Sequence, residues 1–289
     1  MAMPTEKPSF GTLDGVKVVY AAVELACPKA CDLMADWGAD VTWLENTGAG
    51  DTIRDTAYIK QAERRNQRSV ALNYFSEEGK EVFFKMIKDA DIFLEASKGG
   101  TWARKGITDE VLWAINPKLV IVHISGFGQE GDPKMVKRAA YDLTVMAYSG
   151  LIMQNGTEDI PEDTSGLWLS NPHADEIQKA FEDYCLEHSK YEIEEDFAAH
   201  RIAAQVVLDM EDLVKEEHLA LRNTWVDWKT ADGDTFHGLG VFPKFKNNPG
   251  EIWRPMPHQG GDTVDVLTKL GYTEDQINEL LEAGVVKAS

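Results

Sequence analysis

The sequence predicts an α/β fold, a parallel sheet covered by crossover helices, and three observations carry that reading. In the first half of the chain, short β-rich runs alternate with helical patterns. Several of those runs are apolar almost without interruption, as strands are when helices cover both faces of a sheet. A chain of 289 residues, 43% apolar and 27% charged, is also long enough to bury a substantial core.

Taken in order, the predicted strands are Val16–Ala22, Asp40–Leu44, Ser69–Leu72, Asp91–Leu94 and Leu119–Ile124. Helical spacing places helices at Lys29–Trp37, Glu77–Lys88, Asp109–Ile115 and Tyr141–Tyr148. The pattern breaks at Thr157–Pro172, a stretch rich in Pro, Gly, Asp and Ser. Amphipathic helices follow at Asp175–Leu186 and Ile193–His200, then a short strand at Ala203–Leu208 and an acidic helix at Met210–Glu217. Two β runs flank Ala231-Asp232-Gly233-Asp234, where Asp-Gly suits a hairpin turn. Prolines keep Phe242–Gly250 extended. Two helices end the chain, with Thr273 and Gln276 as a capping box and Gly284 as a C-terminal stop.

Composition excludes several function classes. The formal charge of -20 repels phosphate backbones and anionic lipid, so nucleic acid and membranes are not expected partners. The longest apolar run, near Leu119–Ile124, is too short to span a bilayer, and Met1–Phe10 does not resemble a secretory signal; a cytoplasmic protein is expected. Cys27, Cys31 and Cys185 read as reduced thiols with a packing role. The seven histidines show no metal-ligand spacing, so no metal is expected, and no Gly-rich loop ends in Lys-Ser or Lys-Thr. Gly126-Phe127-Gly128-Gln129-Glu130-Gly131 has dinucleotide-loop spacing, but Asp132-Pro133 follows where a close-packed helix belongs, and its strand is about the fifth rather than the first.

Two basic segments stand out in an acidic chain. Glu95–Gly106 follows a strand and offers Lys98, Arg104 and Lys105 with two flexible glycines, a composition that suits phosphate or a solvated turn equally. Arg64-Arg65-Asn66-Gln67-Arg68-Ser69 precedes a strand and reads either as surface charge or as a second cluster converging on the same polyanion.

Together these segments resemble the class III CoA-transferases. The resemblance runs in order through Phe10–Val19, Trp37–Val41, Leu44-Glu45, Arg65–Ser69, Phe93–Gly106, Asn116–Val120, Ser125–Gln129 and Ala140–Asp142, and resumes from about Glu158 to the C-terminus. The stretch Pro243–Arg254 is most similar to the carnitine and gamma-butyrobetaine branch. The resemblance implies a Rossmann-like large domain, a smaller second domain and an interlocked homodimer. It implies transfer of CoA between an acyl-CoA and a carnitine-like carboxylate through an aspartyl-CoA thioester, with CoA as substrate and no permanently bound cofactor. Lys98 and Arg104 match CoA-contacting positions, Lys105 stands where the carnitine branch has arginine, Arg68 falls near the nucleotide, and Val23, Glu24 and Leu25 occupy the bordering loop. Tyr141 and Asp142 separate the subfamilies: related acyl-CoA racemases have a histidine base where Tyr141 stands, and a phenol with a pKa near 10 is a poor base at neutral pH, so transferase is preferred.

One element of the family is not found. The nucleophilic aspartate is expected shortly after Leu151–Gly156, but Gly156 runs directly into Thr157–Asp163, which resembles a later part of the family's small domain. An internal deletion that removed the aspartate accounts for this; a rival alignment sets Asp163-Thr164-Ser165-Gly166 on the catalytic motif. The domains expected are 1–156, which binds CoA, 157–208 as a remnant of the small domain, and 209–289 as the return to the large domain. Alternatives to an impaired transferase are a non-catalytic CoA-binding protein or a remnant of the family.

Overall fold

A computed structural model describes residues 3–56, 59–148, 174–200, 206 and 208–289. The chain divides into two compact units, Met1–Ala140 with Asn223–Ser289, and Tyr141–Arg222. The boundaries expected at 156 and 208 both fall inside the second span.

In the first unit the strands are β1 (Lys17–Ala21), β2 (Asp40–Glu45), β3 (Gln67–Leu72), β4 (Ile92–Glu95), β5 (Val120–His123), the pair β6 (Trp225–Lys229) and β7 (Thr235–Leu239), and β8 (Val286–Lys287). The main sheet runs β5-β4-β1-β2-β3-β8, parallel except for β8, which lies antiparallel on β3. All five predicted strands are present within a few residues. The unit's helices are α1 (Pro28–Asp36), α2 (Ile59–Arg64), α3 (Glu77–Asp89), α4 (Asp109–Ile115) and α5 (Pro133–Val136). The second unit contributes α6 (Asp142–Tyr148), α7 (Ala174–Glu187), α8 (Lys190–Ala199), α9 (Met210–Lys215) and α10 (Glu217–Leu221), and the first unit closes with α11 (Thr263–Lys269) and α12 (Glu274–Glu282).

Alternation along β1 divides the core into two layers, because successive side chains of a strand face opposite ways. Val19 and Ala21 join Phe83, Ile87, Phe93, Trp102, Leu112, Leu267 and Ile277 under α3, α4, α11 and α12. Val18 and Tyr20 join Cys27, Cys31, Ala35, Val41 and Trp43 under α1. Cys27 and Cys31 are free and buried, as a packing role requires. Caps fix the helix ends: Ser76 accepts from the Gly79 amide at α3, Thr108 from Val111 at α4, and Thr273 pairs reciprocally with Gln276 at α12. Gly284, at φ 68°, ends α12 in a Schellman turn, with its amide on the Leu281 carbonyl and the Val285 amide on Leu280.

The acidic helix predicted over Met210–Glu217 is two helices. Glu216 is extended, and its carboxylate accepts from the His218 amide, so it caps α10 instead of continuing α9. In the second unit, Tyr184 of α7 donates to Asp196 of α8 at 2.8 Å, and Lys190 of α8 pairs with Asp212 of α9 at 2.5 Å. Val206 and Leu208 lie outside any strand, and the rest of the strand expected at Ala203–Leu208 is outside the described residues, as is Thr157–Pro172.

The segment Arg64–Ser69 is neither surface charge nor a free cationic cluster. All six residues are buried. Arg64 pairs with Asp51 at 2.9 Å, and Arg65 grips Asp36 through Nε at 3.1 Å and Nη2 at 2.6 Å while Nη1 donates to the Leu239 carbonyl at 2.5 Å. Asn66 takes the left-handed conformation, φ 61°. Its amide nitrogen donates to Asp36 and the Glu251 carbonyl, and its oxygen accepts from the Trp253 and Arg254 amides. Ser69 donates to Glu45 at 2.6 Å and accepts from the Gly260 amide at 2.8 Å, and Asp262, which binds the Ser69 amide, also holds Arg254 with both oxygens. Replacing Asp36 with Asn leaves the Arg65 guanidinium buried without a counter-ion; the expected loss is about 3–5 kcal/mol, read from the urea unfolding midpoint.

Asp32 is buried on α1, with one oxygen accepting from Lys29 at 3.0 Å and the other without a partner. Burial, with Asp36 adding to it, pushes its carboxyl from 3.8 up to about 7. A carboxyl raised in the folded state binds its proton more tightly there than in the unfolded chain. Its stabilising contribution is therefore complete below the unfolded value and lost as pH rises through the folded one. Asp32→Asn is expected to flatten the fall in stability between about pH 4 and pH 7, giving a higher urea midpoint than the parent at pH 8.

Candidate functional site

Strand order changes direction between β1 and β4, and the carboxyl ends of those strands form the crevice where α/β sheets place ligands. After β1 the chain turns at Glu24, whose φ of 60° is uncommon for a residue with a side chain. Three contacts hold it there: its amide donates to Asp51 at 2.9 Å, its carbonyl accepts from Arg64, and its carboxylate accepts from Thr52 at 3.1 Å. The turn leaves Val23 and Leu25 exposed at the rim, 54% and 44%.

After β4 the segment Ala96–Gly106 forms a tight turn anchored by Trp102. That indole is buried, stacked on Tyr74 at 5.1 Å and edge-on to Phe75 and Phe93. Gly99 needs to be glycine: a Cβ there falls 2.2 Å from Val136 Cγ1 and 3.1 Å from the Gly128 carbonyl. The Gly99 amide donates to the Val136 carbonyl at 3.1 Å, and the Gly100 amide to Gln129 Oε1 at 3.2 Å. The glycine-spaced motif at 126–131 thus braces the cationic turn. Arg104 spends its donors within the turn, on the Gly99 carbonyl at 3.2 Å and on Thr101 at 3.0 Å. Lys98 and Lys105 are exposed, and among the described residues neither pairs with a carboxylate. Lys105 Nζ stands 5.7 Å from the Phe75 ring.

A small cavity of about 100 Å³ opens between these turns, lined among others by Val23, Trp43, Tyr74, Ser97 and Thr101. Its size is below that of pockets enclosing a drug-sized ligand, so a nucleotide would lie across this edge rather than inside it.

Beside the cavity is a polar group that the sequence reading missed. Glu95, nearly fully buried at the end of β4, sits opposite His123 at the end of β5. His123 Nδ1 lies 2.7 Å from Glu95 Oε1 and Nε2 lies 3.0 Å from Asp109 Oδ1, while Ser97 donates to Glu95 Oε2. The hydrogen bond with Glu95 holds the imidazole above its ordinary value against the opposing cost of burial, and Asp109 adds to the rise. The signal in the sequence is positional: Glu95 and His123 both end strands at the ligand edge, which metal-ligand spacing among histidines does not register. Among the described residues no group of three or more His, Cys, Asp or Glu side chains is arranged so that it could hold a metal ion.

The remaining expected site residues are placed elsewhere. Arg68 is the second residue of β3, away from the carboxyl edge, with Nε on Asp40 at 2.9 Å and Nη1 on the Thr5 carbonyl at 2.5 Å. Its guanidinium is committed to holding the N-terminal arm. Tyr141 belongs to the second unit and is 68% exposed. Asp142 begins α6, but its side chain, like all of Asp163, is outside the described residues. No described helix is long and apolar enough to cross a membrane.

Comparison with solved structures finds the same fold. A CAIB/BAIF family protein from Brucella suis superposes with a TM-score of 0.71 at 18% identity, covering 91% of this chain and 100% of that one. Rv3272 from Mycobacterium tuberculosis gives a TM-score of 0.70 at 16% identity, covering 90% and 99%. The model for "CoA-transferase family III" matches residues 13–171 and 169–263. That match takes in both turns of the cleft and the returning segment buried against β3, and with it the chain belongs to family III of the CoA-transferases.

Proposed function

We propose that this chain binds a CoA thioester along the carboxyl edge of β1 and β4, with Lys98 and Lys105 supplying charge to the phosphates and Val23, Glu24 and Leu25 bordering the nucleotide. The observation that carries the reading is the cationic turn itself. In a chain of charge -20 it is braced by Gln129 and Val136, anchored by Trp102, and presents two lysines not neutralised by any described carboxylate. Arg104 shapes the turn, and Arg68 has a structural role.

The chemistry proposed is that of the family: an aspartate attacks the acyl carbonyl and CoA thiolate leaves. The thiolate then attacks the aspartyl carbonyl of the anhydride and expels the donor carboxylate, giving an aspartyl-CoA thioester. A carnitine-like carboxylate attacks that thioester and releases the thiolate, which attacks the acceptor carbonyl of the new anhydride to form the product thioester and free the aspartate. The similarity of Pro243–Arg254 to the carnitine branch supports that acceptor class. In this chain the nucleophile segment is proposed to be missing, which impairs the transfer. The family model matching in two pieces that meet at 169–171 supports an internal break, although the sequence reading set it at Gly156-Thr157. A homodimer is proposed on family grounds.

Two measurements test this. In calorimetric titration with CoA, Lys98→Ala and Lys105→Ala are each expected to weaken binding about 10-fold, the scale of one lost charge-assisted hydrogen bond, and Lys105→Arg to tighten it. Arg68→Ala is expected to lower the unfolding midpoint while leaving CoA affinity within about 2-fold, since its guanidinium is spent on Asp40 and the Thr5 carbonyl, away from the carboxyl edge of the sheet. In the second, the protein is incubated with acyl-CoA and hydroxylamine, which converts an activated aspartyl group to a hydroxamate. The expected result is CoA binding with no adduct; a mass gain mapped to Asp163 shows instead that the active site survives.

A further inference from the structure

We propose that His123 is a positioning residue that clamps both ends of the cationic turn, so that the order of this turn, and through it the affinity for CoA, depends on the imidazole carrying two protons. The part concerning affinity rests on the CoA reading above.

The geometry supplies the argument. Glu95 immediately precedes the turn and Asp109 opens α4 three residues after its end, and one ring binds both, Nδ1 at 2.7 Å and Nε2 at 3.0 Å. Everything that bears the cations, Lys98, Arg104 and Lys105, lies on the chain between those two carboxylates. A neutral imidazole has one N–H and one lone pair, so it satisfies one carboxylate and sets its lone pair against the other; only the imidazolium donates to both. Glu95 is nearly fully buried, whereas the Asp109 side chain is 37% exposed. Losing the proton therefore releases Asp109, which water can solvate, and keeps the bond to Glu95, which water cannot reach. Release frees the C-terminal end of the turn.

The effect on charge has the same direction. Protonated, the Glu95–His123–Asp109 group carries one net negative charge; deprotonated, it carries two, beside the place where an anionic ligand is expected. Glu95 from β4 and Asp109 from α4 are the charged groups against the ring among the described residues, and the largely buried Tyr74 phenol interacts electrostatically with Glu95. Ser97, donating to the second oxygen of Glu95, passes the constraint to the residue next to Lys98.

Two readouts on the full chain test this, one of which needs no ligand. Hydrogen exchange at the amides of residues 97–105, corrected for the intrinsic pH dependence of exchange, is expected to lose protection as pH rises from 6 to 9. The CoA dissociation constant is expected to rise about 5-fold or more over the same range, the lower end of coupling between sites. In His123→Gln both steps disappear, while titration of the phosphates of CoA, common to parent and variant, remains. Asp109→Asn, at the start of α4, is expected to keep the fold and to retain protection of the turn up to pH 9, because its amide accepts from the imidazolium and donates to the neutral ring; a purely structural role for Asp109 would lower protection equally at every pH. Identical exchange profiles in the parent and His123→Gln overturn the clamp. A protection step without CoA binding upholds the clamp and overturns the CoA reading. CoA binding with pH-independent protection and affinity does the reverse.

Discussion

The interaction on which the first unit depends is the burial of Arg65 and Asn66 against Asp36. Asp36 ends α1, Arg65 and Asn66 lie between α2 and β3, and the carbonyls and amides they bind belong to Leu239, Glu251, Trp253 and Arg254, more than 170 residues away along the chain. A buried guanidinium requires a counter-ion and hydrogen bonds for its remaining donors; Asp36 is the counter-ion, and the returning chain supplies the carbonyls of Leu239 and Gly240. The joint is therefore directional as well as adhesive: each donor accepts only one registration of the segment 239–254. Asp262, Arg254 and Ser69 extend it to α11, and the short strand β8 completes the sheet edge beyond β3.

This clasp has a consequence for the ligand edge. Of the two basic segments, the one before β3 is fully consumed by carboxylates, which leaves the turn after β4 to meet an anionic ligand. The same economy shapes the β1 turn, where Arg64 and Asp51 hold the Glu24 backbone in its left-handed conformation. Cations distributed through the sequence thus divide into those that build the scaffold and those that face outward. Burial alone makes the division, because a buried charge must be paired and an exposed one need not be.

Around the turn after β4, rigidity comes from unlike sources acting together. Trp102 contributes apolar burial, Gly99 permits contact with Val136, Gln129 caps an amide, and His123 ties the two ends to a single ring. The glycine-spaced loop after β5 has its role here as a brace, which accounts for its spacing without a dinucleotide.

The sequence by itself determined the layers. Alternation and continuous apolar runs located all five parallel strands, capping residues such as Thr273 and Gln276 marked the helix ends, and Lys98, Arg104 and Lys105 were legible as a group because they are adjacent along the chain. Tertiary structure decided which cations remain available, because pairings such as Arg65 with Asp36 or Arg68 with Asp40 join residues far apart in sequence. Short elements were equally illegible: β8 pairs with the edge that β3 offers, and the C-terminal end of α2 is anchored by Arg64 on Asp51 and, one residue on, Arg65 on Asp36. The clamp on His123 required the sheet, since only strand register brings Glu95 and His123 side by side. Local periodicity reports what each segment does alone, and pairing between distant polar groups follows from the topology those segments build.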